Sequence, residues 1–237
     1  MSAALSAQIN RLVALGIHEK MGLPAEDLRQ ALGQLQIHLP RSPDVPDAEI
    51  RGDANMDAGT AEAVIVINTP ALPARQLLPL VSRNGKPAME RLHPRQPEDF
   101  RPTSDIALPV GEAYLLLGVD RGNATLNAVP SDAQKRLEAQ QRLPLTVEEG
   151  ICLLLQWPQF LQPNRCFMML GSRCGDRRVP ALWLSNQHPR LGWCWEGNPH
   201  TWLGFASCMG RSPGVALRLV SAASQRMAGL PNAQGAT

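Results

Sequence analysis

The residues best suited to chemistry are concentrated in one short stretch, from Cys194 to Gly204. Cys194, Glu196, Asn198 and His200 supply, in that order, a thiol, a carboxylate, an amide and an imidazole. A thiol beside an imidazole can form a thiolate–imidazolium pair, the activated nucleophile of acyl-transfer chemistry. A carboxylate or an amide can orient the imidazole, as the third member of a catalytic triad does. The stretch therefore predicts Cys194, His200 and Glu196 as catalytic residues.

Tryptophans surround this stretch and predict the walls of a small-molecule pocket. All five tryptophans of the chain follow residue 150. Aromatic side chains offer a large contact area, and a few polar groups among them fix the orientation of a ligand. The alternative is that the tryptophans only close a β-rich core. The predicted ligand-binding residues are Trp183, Trp193, Trp195, Trp202, Asn198 and Arg173.

A metal site is a second interpretation of the same region. Structural zinc sites usually contain close cysteine pairs, whereas the cysteines after residue 160 are separated by 8, 20 and 14 residues. Separate strands can still bring distant ligands together, and thiolate and imidazole ligands suit zinc. The ligands in this alternative are Cys166, Cys174, Cys194, Cys208 and His200.

An arginine-rich turn over residues 171–178 is a further candidate. Its glycines and three arginines could hold an anion through backbone amides and guanidinium groups. The alternative is a solvated hairpin tip with a surface pair between Asp176 and Arg178, an arrangement that is common and weak.

Composition limits the classes of function. The chain has 237 residues, 44% of them hydrophobic, and a net charge of +2. No dense basic cluster indicates nucleic-acid binding, and no apolar run approaches the ~20 residues of a membrane span. The first residues lack the pattern of a signal peptide. We therefore expect a cytoplasmic protein with thiols rather than disulfides. The favoured function is an enzyme that processes a small molecule, and the alternative is a non-catalytic protein that binds a ligand, a metal or a partner. The sequence specifies neither a substrate, a reaction type, a cofactor nor an oligomeric state.

Hydrophobic periodicity predicts an α+β protein with N-terminal helices, two core strands and an antiparallel, β-rich C-terminal half. A capping box at Thr146 and Glu149 predicts the start of an apolar helix that buries Cys152. The predicted helices cover residues 3–15, 24–35, 73–81, 131–141 and 150–157. The predicted strands cover residues 63–67, 112–119, 166–170, 179–185, 191–195 and 202–208.

One domain is predicted over residues 1–220. It comprises a helical hairpin (1–39), an exposed linker or loop (40–60), an α/β portion (61–160) and a β-rich portion (161–210). Residues 221–237 are predicted to form a mobile tail. The linker prediction depends on a Pro-, Asp- and Gly-rich composition that cannot bury enough apolar surface to order itself.

Four phrases of the sequence resemble an uncharacterised actinomycete family known as a domain of unknown function. The resemblance covers roughly residues 5–210 apart from the linker, and it implies a bacterial cytoplasmic setting without an activity or a cofactor. Its most specific part is the phrase with Trp193, Cys194 and Trp195 followed by Pro199 to Gly204. The other phrases are residues 145–150, 171–173 and 178–183.

Overall fold

The computed structural model describes residues 1–39 and 54–218. It has an α+β fold with helices at the N-terminal end and sheets in the C-terminal half, which confirms the predicted fold class. Within the described residues, the α-helices are α1 (Ala3–Ala14), α2 (Ile17–Lys20), α3 (Ala25–Gly33), α4 (Ala74–Leu77), α5 (Pro130–Ala139) and α6 (Val147–Gln156).

The strands form two larger sheets and two short ladders. Strands of the first half are β1 (Ala54–Asn55), β2 (Thr60–Ile67), β3 (Ser82–Arg83), β4 (Lys86–Pro87), β5 (Met89–Arg91), β6 (Arg101–Pro102) and β7 (Ala113–Asp120). Strands of the second half are β8 (Leu143–Pro144), β9 (Cys166–Met168), β10 (Ser172–Arg173), β11 (Arg178–Ser185), β12 (His188–Trp195), β13 (Leu203–Phe205), β14 (Ser207–Cys208) and β15 (Gly210–Arg211).

The first sheet has the order β1-β2-β7-β14-β8, with β15 also paired to β7. The second sheet has the order β13-β9-β11-β12-β5. Strand β11 is antiparallel to both of its neighbours, while β5 and β13 add to the edges in parallel. The predicted strand over 202–208 is divided between the sheets, because β13 joins the second sheet and β14 joins the first.

Helix α6 lies between the two sheets. It packs against β2 on one side. On the other side, a Cβ placed on Gly150 would lie only 2.3 Å from Met169 Sδ and 3.1 Å from Leu182 Cδ1. The missing side chain therefore allows the helix to approach the second sheet closely. Cys152 on the same helix is buried among apolar side chains, as predicted.

A buried ionic network fixes the start of α6. The Thr146 hydroxyl accepts a bond from the amide of Glu149, and the Glu149 carboxylate accepts one from the amide of Thr146, so the predicted capping box is confirmed. The same carboxylate is fully buried and accepts bonds from the Tyr114 hydroxyl at 2.8 Å and from Arg211 at 2.6 and 2.8 Å. Burial and the neighbouring Glu149 carboxylate raise the pKa of Tyr114. The network therefore joins α6, β7 and β15.

Of the predicted linker or loop, residues 54–60 belong to the edge of the first sheet, while residues 40–53 lie outside the described part. Residues 54–60 form β1, a turn and the start of β2. Arg121 is buried and holds this turn through two hydrogen bonds. Its guanidinium Nη1 donates to the Met56 carbonyl at 3.3 Å, and its backbone N–H donates to the Gly59 carbonyl at 2.8 Å. Composition alone does not reveal an anchor supplied by Arg121, which lies far later in the chain.

The predicted tail at residues 221–237 also lies outside the described residues. None of the helices in the described ranges is both long and apolar enough to cross a membrane.

Candidate functional site

The hairpin of β11 and β12 positions most of the predicted site residues. Ser185 pairs with His188, which leaves Asn186 and Gln187 as a two-residue turn. Both turn residues have positive φ angles, 50° and 65°. Paired positive angles suit the right-handed twist of the flanking strands and fix their register. The predicted strands over residues 179–185 and 191–195 are therefore joined through this tight turn.

The register distributes the tryptophans over opposite faces of the sheet. Directly paired residues share a face, and successive residues along a strand alternate between faces. Trp193 is paired with Pro180, whereas Trp183 is paired with Arg190. Since Pro180 and Trp183 are an odd number of residues apart on β11, the rings of Trp183 and Trp193 lie on opposite faces. The four tryptophans of the predicted pocket therefore lie in two separate pairs, on opposite faces of the sheet.

The first pair, Trp193 and Trp195, forms a stack with an arginine. The guanidinium of Arg178 lies 4.5 Å from the ring centroid of Trp193 and 4.9 Å from that of Trp195. Asp176 forms ion pairs with this guanidinium and with Arg95, the latter at 2.7 Å. These arginines hold the pKa of Asp176 well below its usual range. The predicted pair of Asp176 and Arg178 is thus confirmed, and both arginines already have an anionic partner.

The second pair, Trp183 and Trp202, lies on the other face. Their ring centroids are 6.5 Å apart at an interplanar angle of 68°, and the His200 ring lies 5.3 Å from that of Trp202. Trp183 covers the backbone of Gly192, where a Cβ would lie 2.3 Å from its ring. Glycine at this position of β12 therefore allows the ring to lie flat against the strand.

Trp183 and Trp202 border a cavity of about 520 Å³. Arg83 of β3 also lines it, and the Nε atom of Arg83 is buried without a hydrogen-bond partner. Among the described residues, no carboxylate lies within salt-bridge distance of Arg83. We call this space the tryptophan–arginine cavity. Its polar lining also includes Asn164, Ser185 and Gln187.

The predicted catalytic pair is not joined by a hydrogen bond within the described ranges. Cys194 lies on the face opposite Trp193, as alternation along β12 requires. Burial raises the pKa of the Cys194 thiol to about 11. Burial also lowers the pKa of His200, whose Nε2 is buried without a partner. An activated cysteine needs the opposite shift, towards the thiolate at neutral pH.

The other predicted site residues have partners of their own. Arg173 Nη2 lies 3.0 Å from Glu196 Oε1, so the predicted clamp and the predicted orienting carboxylate neutralise each other. Asn198 is exposed in the turn after β12, where its backbone N–H donates a hydrogen bond to the Trp195 carbonyl. The structure thus separates Arg173, Glu196 and Asn198 from the tryptophan–arginine cavity, whose lining includes none of them.

The five cysteines do not converge. All are free thiols, and burial raises the pKa of each one. Among the described residues, no group of three or more His, Cys, Asp or Glu side chains is placed to hold a metal ion. The alternative ligand set of Cys166, Cys174, Cys194, Cys208 and His200 is therefore not assembled into one site.

Sequence reasoning missed Arg83, Asn164 and Gln187 as cavity residues. Arg83 is separated from Trp183 by 100 positions, and it reaches the cavity because β3 and β4 pack against β12. Gln187 lies in the two-residue turn between β11 and β12. No local pattern distinguishes these three polar residues from ordinary loop residues.

Comparison with known proteins gives a family without an assigned activity. No curated protein and no solved structure matches the chain. A family model, described as a family of unknown function (DUF5701), matches residues 11–214. Because this match covers most of the chain, including the helices and both sheets, the protein belongs to that family of unknown function.

Proposed function

We propose that the protein binds a small anionic molecule with a flat apolar body in the tryptophan–arginine cavity. One observation carries the proposal: Arg83 has a buried Nε without a partner in a cavity bordered by Trp183 and Trp202. A buried polar group without a hydrogen bond costs roughly 1–3 kcal/mol. A ligand oxygen would remove that cost.

The chemistry of the lining defines the ligand class. A guanidinium presents a rigid fork of donors that matches a carboxylate or a phosphate. The two inclined tryptophan rings offer apolar surface to a planar group. Asn164 and Gln187 add donors and acceptors at the rim. An aromatic carboxylate or an aryl phosphate combines these properties.

Thiol-based enzyme chemistry at Cys194, His200 and Glu196 has less support than binding. The Cys194 thiol is protonated at neutral pH because of its raised pKa. Glu196 is paired with Arg173 rather than with the imidazole. We therefore favour ligand binding without covalent catalysis as the role of this region.

The five unpaired thiols suit a reducing compartment, so a cytoplasmic bacterial location is part of the proposal. The formal charge of +2 also suits a small anion better than a nucleic acid as the partner.

The test is calorimetric titration with phenyl phosphate, using phenol as the uncharged analogue. We expect saturable binding of phenyl phosphate and much weaker binding of phenol. Arg83→Gln should weaken phenyl phosphate binding by about 10- to 150-fold, because a hydrogen bond to a charged group contributes about 1.5–3 kcal/mol.

Arg101→Gln is the matched control, since Arg101 is exposed on β6 and lies outside the cavity. It removes the same charge and should leave the affinity unchanged. Equal losses in the two variants would mean that net charge alone attracts the probe. Absence of saturable binding by the wild-type protein would contradict the proposal.

A further inference from the structure

A second cavity, of about 480 Å³, lies at the end of β2 and beside the first turn of α6. Most of its wall is apolar and includes Pro70, Pro73 and Pro109. Glu148 is the one charged residue that lines it within the described part of the chain. This cavity is separate from the tryptophan–arginine cavity, because the two have no lining residue in common.

Glu148 is half-buried and has no cationic partner within salt-bridge distance among the described residues. The carboxylate of its neighbour Glu149 accepts hydrogen bonds from Arg211 and Tyr114. The two consecutive glutamates of the capping segment therefore differ: one is neutralised inside the protein, and the other faces a cavity.

Two further carboxylates, those of Glu98 and Glu112, lie near Glu148 or the cavity wall. Glu98, in the turn Pro97–Asp99, is held by Arg75 of α4 at 3.3 Å. Its Oε2 atom is buried without a partner. Glu112, just before β7, accepts a bond from Thr69 of the cavity wall at 3.1 Å.

Burial raises the pKa of Glu148 to about 7, and the Glu149 and Glu98 carboxylates contribute in the same direction. The thiol of Cys152, one turn further along α6, is also close enough to interact with Glu148. This thiol is uncharged, because burial raises its pKa to about 12. Glu148 therefore changes its charge near neutral pH, and a cation placed in the cavity would favour the ionised form.

We propose that this cavity binds a small organic ammonium ion, with Glu148 as its counter-ion and the prolines around its apolar body. The carboxylate accepts charge-assisted hydrogen bonds from the ammonium group. Asn68 and Thr69 add oxygen acceptors on the same wall. A compact amine suits the site better than a metal ion, since no group of three or more metal-ligating side chains forms in the described residues.

The binding should depend on pH in a defined direction. Below pH 7 a proton occupies Glu148 and competes with the ammonium ion, while above pH 7 the carboxylate is free to bind it. An alkylammonium stays charged over this range. The affinity should therefore rise about tenfold between pH 6 and pH 8 and level off above that, by linkage of proton and ligand binding.

The experiment is a titration of the full chain with pyrrolidinium, followed through the backbone amide NMR signals of Asn68, Thr69 and Gly111. Cyclopentanol serves as the uncharged probe of similar shape. We expect pyrrolidinium to shift these signals and cyclopentanol to have little effect. Glu148→Gln should lower the affinity for pyrrolidinium at pH 8 at least tenfold and remove its pH dependence.

Glu138→Gln is the matched control, because it removes the same charge from an exposed position on α5. A second variant makes the test independent of substitutions in the helix. Val110 lines the cavity and is 95% exposed, so Val110→Lys places a tethered ammonium group there. This group should compete with pyrrolidinium and lower its affinity. Val110→Gln, which adds no charge, should leave that affinity unchanged.

Equal affinity of wild type and Glu148→Gln would overturn the proposal. So would equal binding of cyclopentanol, or an affinity that does not change between pH 6 and pH 8. A failure of phenyl phosphate to bind elsewhere would have no bearing on this result, because the probes occupy different cavities.

Discussion

Substitution of Gly192 by alanine tests how the tryptophan–arginine cavity is built. The added Cβ would lie 2.3 Å from Cη2 and 2.8 Å from Cζ3 of Trp183, and 3.0 Å from the Arg91 carbonyl oxygen. Ordinary carbon–carbon contacts are about 3.5–4.0 Å, so the ring must move by more than about 1 Å. Overpacking of this kind typically costs about 1–3 kcal/mol.

Two measurements follow from this displacement. Urea unfolding, monitored by circular dichroism, should show a free energy of unfolding lower by about 1–3 kcal/mol. Titration with phenyl phosphate should show an affinity reduced by about tenfold, because one wall of the cavity has moved away from its place; this loss corresponds to about 1.4 kcal/mol.

Gly210→Ala is the control for Gly192→Ala. Gly210 also lies in a strand, β15, and a Cβ there meets no atom within 4 Å. This variant should match the wild type in both measurements. If Gly192→Ala unfolded at the same urea concentration as the wild type and bound the probe equally well, the placement of Trp183 over β12 would be refuted.

Two other predictions concern the buried network and the thiol. Glu149→Gln should lower the free energy of unfolding by about 3–5 kcal/mol, because it leaves the buried Arg211 guanidinium without its anion; a loss below about 1 kcal/mol in urea unfolding would contradict this. Cys194 should react with iodoacetamide at pH 7 more slowly than free cysteine, because burial raises its pKa to about 11; faster reaction, measured on the Cys194 peptide by mass spectrometry, would restore the nucleophile hypothesis.

Local patterns were enough to predict the longer helices and strands, such as α1, α6, β2 and β7. The β-branched run at residues 63–67 falls within β2, and the capping box at Thr146 starts α6 within a few residues of the predicted position. Both signals act over a few residues: β-branched side chains favour the strand conformation, and a hydroxyl satisfies a free amide at a helix start. Such effects need no information from the rest of the chain.

The candidate site could be predicted only in part, because it depends on register and on contacts distant in sequence. Trp183, Trp193 and Trp195 are close in sequence, which suggested a common pocket. Pairing of β11 with β12 places Trp183 on the opposite face, and only that pairing reveals the separation. Arg83 enters from a strand far earlier in the chain.

Glu148 illustrates a different limit. The capping box explains Glu149 fully, and its neighbour has no sequence signal beyond membership of the same helix turn. The cavity in front of Glu148 arises from the loop after β2 and the loop before β7, which meet because those strands pair. The environment that shifts its pKa therefore comes from the fold.

The most direct test of ligand binding between the tryptophans and Arg83 is fluorine NMR of protein labelled with 5-fluorotryptophan. The five resonances are assigned by single Trp→Phe variants and followed during titration with phenyl phosphate. We predict that the signals of Trp183 and Trp202 shift together in a saturable manner while those of Trp193 and Trp195 stay in place. Shifts confined to Trp193 and Trp195, or no saturable shift at all, would contradict the account.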